Sequence, residues 1–95
     1  MTRDALLERG RTLRELDQAA HAPKGSAFRA FKHLAERFEE DRDYVVLHHE
    51  RDRARIEALR ARQRIYAGSL NVIVLAPHAA EAVAAALRGS GPASR

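Results

Sequence analysis

The chain contains no cysteine, and aromatic residues make up only 5% of its 95 residues. Without cysteine there are no disulfides, thiolate metal sites or thiol catalysis, and the redox compartment stays open. With so few aromatics, Ala and Leu must do most of the packing. No run approaches the ~20 apolar residues that a membrane helix requires. Residues 1–10 carry acids and no apolar run, unlike a secretory leader. No Ser-His-Asp order, HExxH motif or glycine-rich phosphate loop is present, and the carboxylates form an exposed cluster, so neither an enzyme, a cofactor nor a small-molecule substrate is expected. The simplest expectation is a soluble cytoplasmic protein, and frequent Ala and Arg fit a GC-rich bacterial genome.

Apolar residues are 45% of the chain, enough for one small domain with an adequate core. The formal charge is +4 and the pI about 10.3. That balance favours a polyanionic partner, although placement matters more than the sum.

The most informative stretch begins at Thr12. Thr12 and Glu15 have capping-box spacing, and Leu13, Leu16, Ala19 and Ala20 follow at helical intervals. The helix is expected over about Leu13 to Ala20. His21 to Ser26 break the pattern, because Pro23 cannot sit inside a helix and biases Ala22 toward an extended conformation. A second helix is expected from about Gly25 to Phe38, with Ala27, Phe31, Leu34 and Phe38 on one apolar face. Arg29, Lys32 and His33 lie off that face. Gly25 and Ser26 at its start offer backbone N–H groups and a hydroxyl to a phosphate.

The order helix, short turn, then Pro23, Lys24, Gly25, Ser26, Ala27, Phe28 and Arg29 resembles the winged helix-turn-helix of IclR-type and MarR-type bacterial regulators. Those proteins commonly show a Pro-Lys-Ser-Thr-apolar-polar-Arg run here. The resemblance covers roughly Thr12 to Leu47. His21 stands where Gly often supplies a left-handed turn, a conformation His tolerates. Ala22 stands where a larger aliphatic often plugs the core; Phe28 either fills that space or faces the DNA. The resemblance implies sequence-specific binding of duplex DNA and regulation of transcription.

Around this motif, Thr2 to Arg9 read as a first helix capped by Thr2 and ended by Gly10. Glu36, Glu39, Glu40, Asp41 and Asp43 form an acidic patch expected to point away from DNA. Asp43 to His49 and Asn71 to Leu75 read as two strands, the antiparallel pair of a wing. Residues 50–68 are too long for a plain hairpin loop. Asp52 to Gln63 read as a helix inside them, with Ile56, Leu59 and Gln63 on one stripe. Within Arg51–Arg64, arginines at 51, 53, 55, 60, 62 and 64 outweigh Asp52 and Glu57, so this stretch alone carries a charge equal to that of the chain, +4. Pro77 opens a last helix, His78 to Arg88, with Ala79, Val83, Ala86 and Leu87 as its apolar side.

The expected fold is therefore α+β and mostly α: a winged helix-turn-helix with a two-stranded wing, an Arg-rich helical insert between the wing strands and a C-terminal helix. It occupies residues 1–88, with residues 89–95 a flexible tail. The candidate DNA-binding residues are Lys24, Gly25, Ser26, Phe28, Arg29, Lys32 and His33 in the helix region, and Arg51, Arg53, Arg62 and Arg64 near the strand ends. Arg29 is the candidate for a base edge, since Arg pairs bidentately with guanine. Lys24, Ser26 and Lys32 suit phosphates. Taken singly these residues also describe a solvated helix face; the turn before them and the strands after them favour DNA. The insert reads equally as a solvated helix, a second phosphate-binding surface or a dimer arm, and Tyr66 and Ser69 are within reach of phosphate in the second reading. His48 and His49 are expected in a strand with side chains on opposite faces, and His21, His33 and His78 are scattered, so no metal is expected. A homodimer is expected through the C-terminal helix, with the Ile56/Leu59 stripe as a possible addition. The alternatives are a nucleoid or plasmid-maintenance protein with little sequence preference, or a protein-interaction module on the same fold.

Overall fold

Thr2 accepts the Ala5 N–H on its side-chain oxygen at 3.1 Å and starts α1, Arg3–Arg9. A computed structural model describes residues 2–89; the expected tail, except Gly89, lies outside the described residues. Gly10 ends α1 in an extended conformation, not a left-handed one. Its glycine character has another cause. A Cβ here would lie 2.5 Å from the Leu6 carbonyl oxygen, 2.6 Å from that of Leu75 and 2.7 Å from Val74 Cγ1. The bare backbone lets the next residues, β1 (Arg11–Thr12), pair with the strand that carries Val74 and Leu75.

Thr12 then changes role within one residue. Its Oγ1 accepts the Glu15 N–H at 3.2 Å while the Glu15 carboxylate accepts the Thr12 N–H at 2.8 Å, the expected capping box of α2, Leu13–Ala19. The turn after it holds His21 at a φ of 54° and Gly25 at 93°, both left-handed. α3 spans Ser26–Leu34 and is shorter than expected. The chain tightens into a 3-10 turn over Ala35–Arg37. Phe38 leaves the helix but still reaches the core, its ring 6.1 Å from that of Phe31.

β2 (Tyr44–Leu47) and β3 (Val72–Leu75) pair antiparallel as expected, with Val45 opposite Val74. The sheet has three strands, in the order β1-β3-β2, so the two-stranded expectation is corrected. α4 (Arg53–Ala61) lies between β2 and β3 in sequence, and α5 spans Pro77–Gly89. The fold is α+β and mostly helical.

Both faces of the sheet are buried, which explains why β3 reads as a continuous apolar run. Val72 and Val74 pack with Leu6, Val45, Leu47, Ile56 and Ile65 on one side. Ile73 and Leu75 face Leu16, Ala27, Phe31, Ala79, Ala80 and Val83 on the other. Two expectations change here. Ile56 is core, so α4 is docked on the body. The apolar stripe of α5 is also spent inside the chain: Ala79 and Val83 are fully buried. With few aromatics to fill space, the small domain uses Ala79, Ala80 and Val83 of this helix as core filler, while Ala86 and Leu87 of the stripe are half-buried.

Candidate nucleic-acid interface

The start of α3 is built around Asp17, which is 1% exposed. Its carboxylate accepts the Gly25 N–H at 3.0 Å, the Ala27 N–H at 2.7 Å and the Tyr66 hydroxyl at 2.5 Å. The Ser26 N–H donates to the Pro23 carbonyl at 3.1 Å. The backbone donors of Gly25 and Ser26 are thus taken, and a buried carboxylate sits where a phosphate was expected. That corrects the expected role of these two backbone N–H groups as phosphate donors. Tyr66, a candidate phosphate contact by sequence, is instead a structural donor. Burial first, and then its bond to Asp17, push its hydroxyl up to about 12, so it stays protonated.

The outer side of α3 is different. Phe28 and Lys32, four residues apart, form one row of α3, and Arg29 and His33 form the adjacent row; Lys24 lies in the turn before the helix, ahead of the left-handed Gly25. All five are exposed, and α3 itself contains no acid. Phe28 is 43% exposed, so it does not plug the core in place of a larger residue at Ala22. Lys32 Nζ stands 5.6 Å from the centre of its ring. Lys24 Nζ lies 5.0 Å from the centre of the Tyr66 ring, and the Arg14 guanidinium lies 5.7 Å from the same centre. Arg14 also donates to the Gln63 carbonyl. Arg14 was not among the sequence candidates, because only the fold brings Tyr66 beside it. A cleft of about 210 Å³ runs behind this row, between Leu13, Asp17, Phe28, Ile65 and Tyr66.

The insert arginines separate into two groups. Arg55 pairs with Asp4 at 3.1 Å, tying α4 to α1. Arg60 pairs with Glu57 at 2.9 Å and donates to the Ala67 and Ser69 carbonyls at 3.2 and 2.6 Å. Arg64 pairs with Glu15 at 2.7 Å and donates to the Gly10 carbonyl at 3.1 Å. This pairing raises the Arg64 pKa and lowers that of Glu15. Arg64 therefore faces inward, which corrects its expected place on the outer surface. Ser69 is half-buried. Arg51 is exposed beside Asp52 at 3.5 Å. Arg53 and Arg62 are exposed and make no ion pair among the described residues.

The acidic end is also partly internal. Asp43 is buried, and its carboxylate accepts from Arg42 at 2.7 Å, His78 at 2.6 Å and the Glu39 N–H at 2.8 Å. Arg42 above all holds this carboxyl well below the usual range, against burial acting the other way. Glu36, Glu39, Glu40 and Asp41 remain exposed. β2 ends at Leu47, so His48 and His49 lie beyond the strand that was expected to contain them; His49 donates its N–H to the Asn71 side chain at 3.0 Å. No three of the His, Asp and Glu side chains converge as a metal site among the described residues. No helix of the described residues is long and apolar enough to cross a membrane.

Comparison with protein-family models finds no match, and neither curated proteins nor solved structures give a significant similarity.

Proposed function

We propose that this chain is a winged helix-turn-helix regulator that binds duplex DNA, with α3 in the major groove and the exposed insert arginines on the backbone. The observation that carries the reading is the outer side of α3: Arg29, Lys32 and His33 are exposed around Phe28, with Lys24 exposed in the turn before the helix and no acid in the helix. The order helix, strand, helix, helix, strand, helix, strand, with β3 central in the sheet, supports the winged arrangement with a helical insert. The exposed acids beyond Leu34 give α3 a polarity, so that its N-terminal part, with Lys24 in the turn before it, faces the polyanion. In this reading Arg29 meets a guanine edge, and Lys24, Lys32, Arg53 and Arg62 meet phosphates. The protein acts by occlusion or recruitment at a promoter or plasmid operator in the bacterial nucleoid.

The test is binding to labelled duplexes by fluorescence anisotropy at several salt concentrations, after selection of preferred sites from a randomised pool. A duplex-binding protein loses affinity steeply as salt rises. A large preference for the selected site over random DNA supports a regulator; near-equal affinity supports the nucleoid or plasmid-maintenance alternative. Absence of salt-dependent binding overturns both.

A further inference from the structure

We infer that Phe28 gives the α3 surface a preference for 5-methylpyrimidines, which in ordinary DNA means thymine. The inference rests on the reading of α3 as the groove helix and adds what its apolar member recognises. Phe28 is one of two large hydrophobic side chains left exposed among the described residues, the other being Leu70. It is not needed inside, because Ala27 and Phe31 of the same helix already fill the core side. Its neighbour in the row is Lys32, whose Nζ stands 5.6 Å from the ring centre, while Lys24 lies in the turn before the helix. The row thus sets an apolar ring beside a cation.

A polyanionic duplex offers few apolar groups to match that arrangement. In the major groove the base edges carry donors and acceptors, and the thymine C5-methyl is the apolar exception. A phenyl ring cannot donate or accept in the plane of a base edge, but it can cover that methyl while the lysines reach flanking phosphates. The closed start of α3 argues the same way. With Asp17 occupying the Gly25 and Ala27 N–H groups, end-on capture of a phosphate is unavailable, and the side bearing Phe28 is the contact surface that remains.

The test needs no known operator. Anisotropy titrations compare an alternating dA/dT duplex with the same duplex carrying deoxyuridine, which lacks only the methyl. An alternating dG/dC duplex is compared with its 5-methylcytosine form, which restores a methyl at the same ring position. The protein should bind the methylated member of each pair more tightly, by about threefold to fourfold for each methyl covered. Phe28→Ala, at a surface position and checked for an unchanged melt, should abolish both differences. Equal wild-type affinity within each pair, or discrimination that survives Phe28→Ala, overturns the inference while DNA binding stands. No salt-dependent binding to any duplex overturns the DNA reading itself, and leaves the exposed ring as a protein contact.

Discussion

Tyr66 donates its hydroxyl hydrogen to Asp17 Oδ2 at 2.5 Å, joining residues 49 positions apart. The bond fastens the chain leaving α4 to the turn that aims α3. Asp17→Ala would leave the Gly25 and Ala27 donors without their partner and should cost about 2–4 kcal/mol, more than a surface change. Tyr66→Phe removes one bond to a charged group and should cost about 1.5–3 kcal/mol. Urea unfolding of the two variants checks both values.

The same pair predicts an alkaline limit. A tyrosine whose folded pKa lies above its unfolded value stabilises the fold while protonated. The contribution of Tyr66 is therefore complete below its ordinary value near 10 and is lost as pH rises toward about 12. Burial, with Glu40 and Asp41 nearby, also raises the Tyr44 hydroxyl, so tyrosinate absorbance should show both tyrosines titrating late in the native protein, and the step near 12 should vanish in Tyr66→Phe. A single ordinary step near pH 10 for both tyrosines would refute the latch.

Gly10→Ala should be strongly destabilising although Gly10 has no left-handed backbone. The added Cβ meets backbone oxygens of Leu6 and Leu75 at 2.5 and 2.6 Å. Neither is the end of a flexible side chain, so β1 must move away from β3. The cost should be about 1–3 kcal/mol, the range for overpacking, read as a lowered thermal midpoint.

The core of the second sheet face gives a sharper pair. Phe31 packs edge-on to Tyr44 with ring centres 5.0 Å apart and stacks near Phe38. Phe31→Ala should cost about 3–5 kcal/mol. Val83→Glu places a carboxylate in a fully buried site of α5, so it should unfold the domain. Circular dichroism separates that outcome from a folded, dissociated subunit.

Local signals made much of this fold legible. The capping box, Pro23 and the spacing of Ala27 and Phe31 act within a few residues, so α2, the turn and the start of α3 followed from the local order of residues alone. β1 did not, because two residues have no period, and their pairing exists only where Gly10 permits contact with β3. The α5 stripe was visible, but whether it faced inward depended on how much space the other elements left. The site was legible in its exposed row and illegible in its closed end. Nothing in the spacing of Asp17, Gly25 and Tyr66 announces that they meet. The Arg64 charge was equally plain, while its partner Glu15 lay 49 positions away.

That division of the arginines yields the last prediction. Arg53 and Arg62 are exposed without ion pairs among the described residues, whereas Arg64 is held by Glu15 and the Gly10 carbonyl. If the insert lies on the DNA backbone, Arg53→Ala and Arg62→Ala should each weaken binding to all duplexes alike. Each should lower the slope of log affinity against log salt by about one, with no change in the melt. Arg64→Ala should do the reverse. It should lower stability by about 1–2 kcal/mol, because it leaves a half-buried carboxylate without its strongest donor, and should leave the salt slope alone. A slope change for Arg64→Ala with an unchanged melt would show that its pairing with Glu15 gives way to phosphate on binding. Unchanged slopes for Arg53→Ala and Arg62→Ala would remove these two arginines from the interface and leave the contact to α3 and the turn before it.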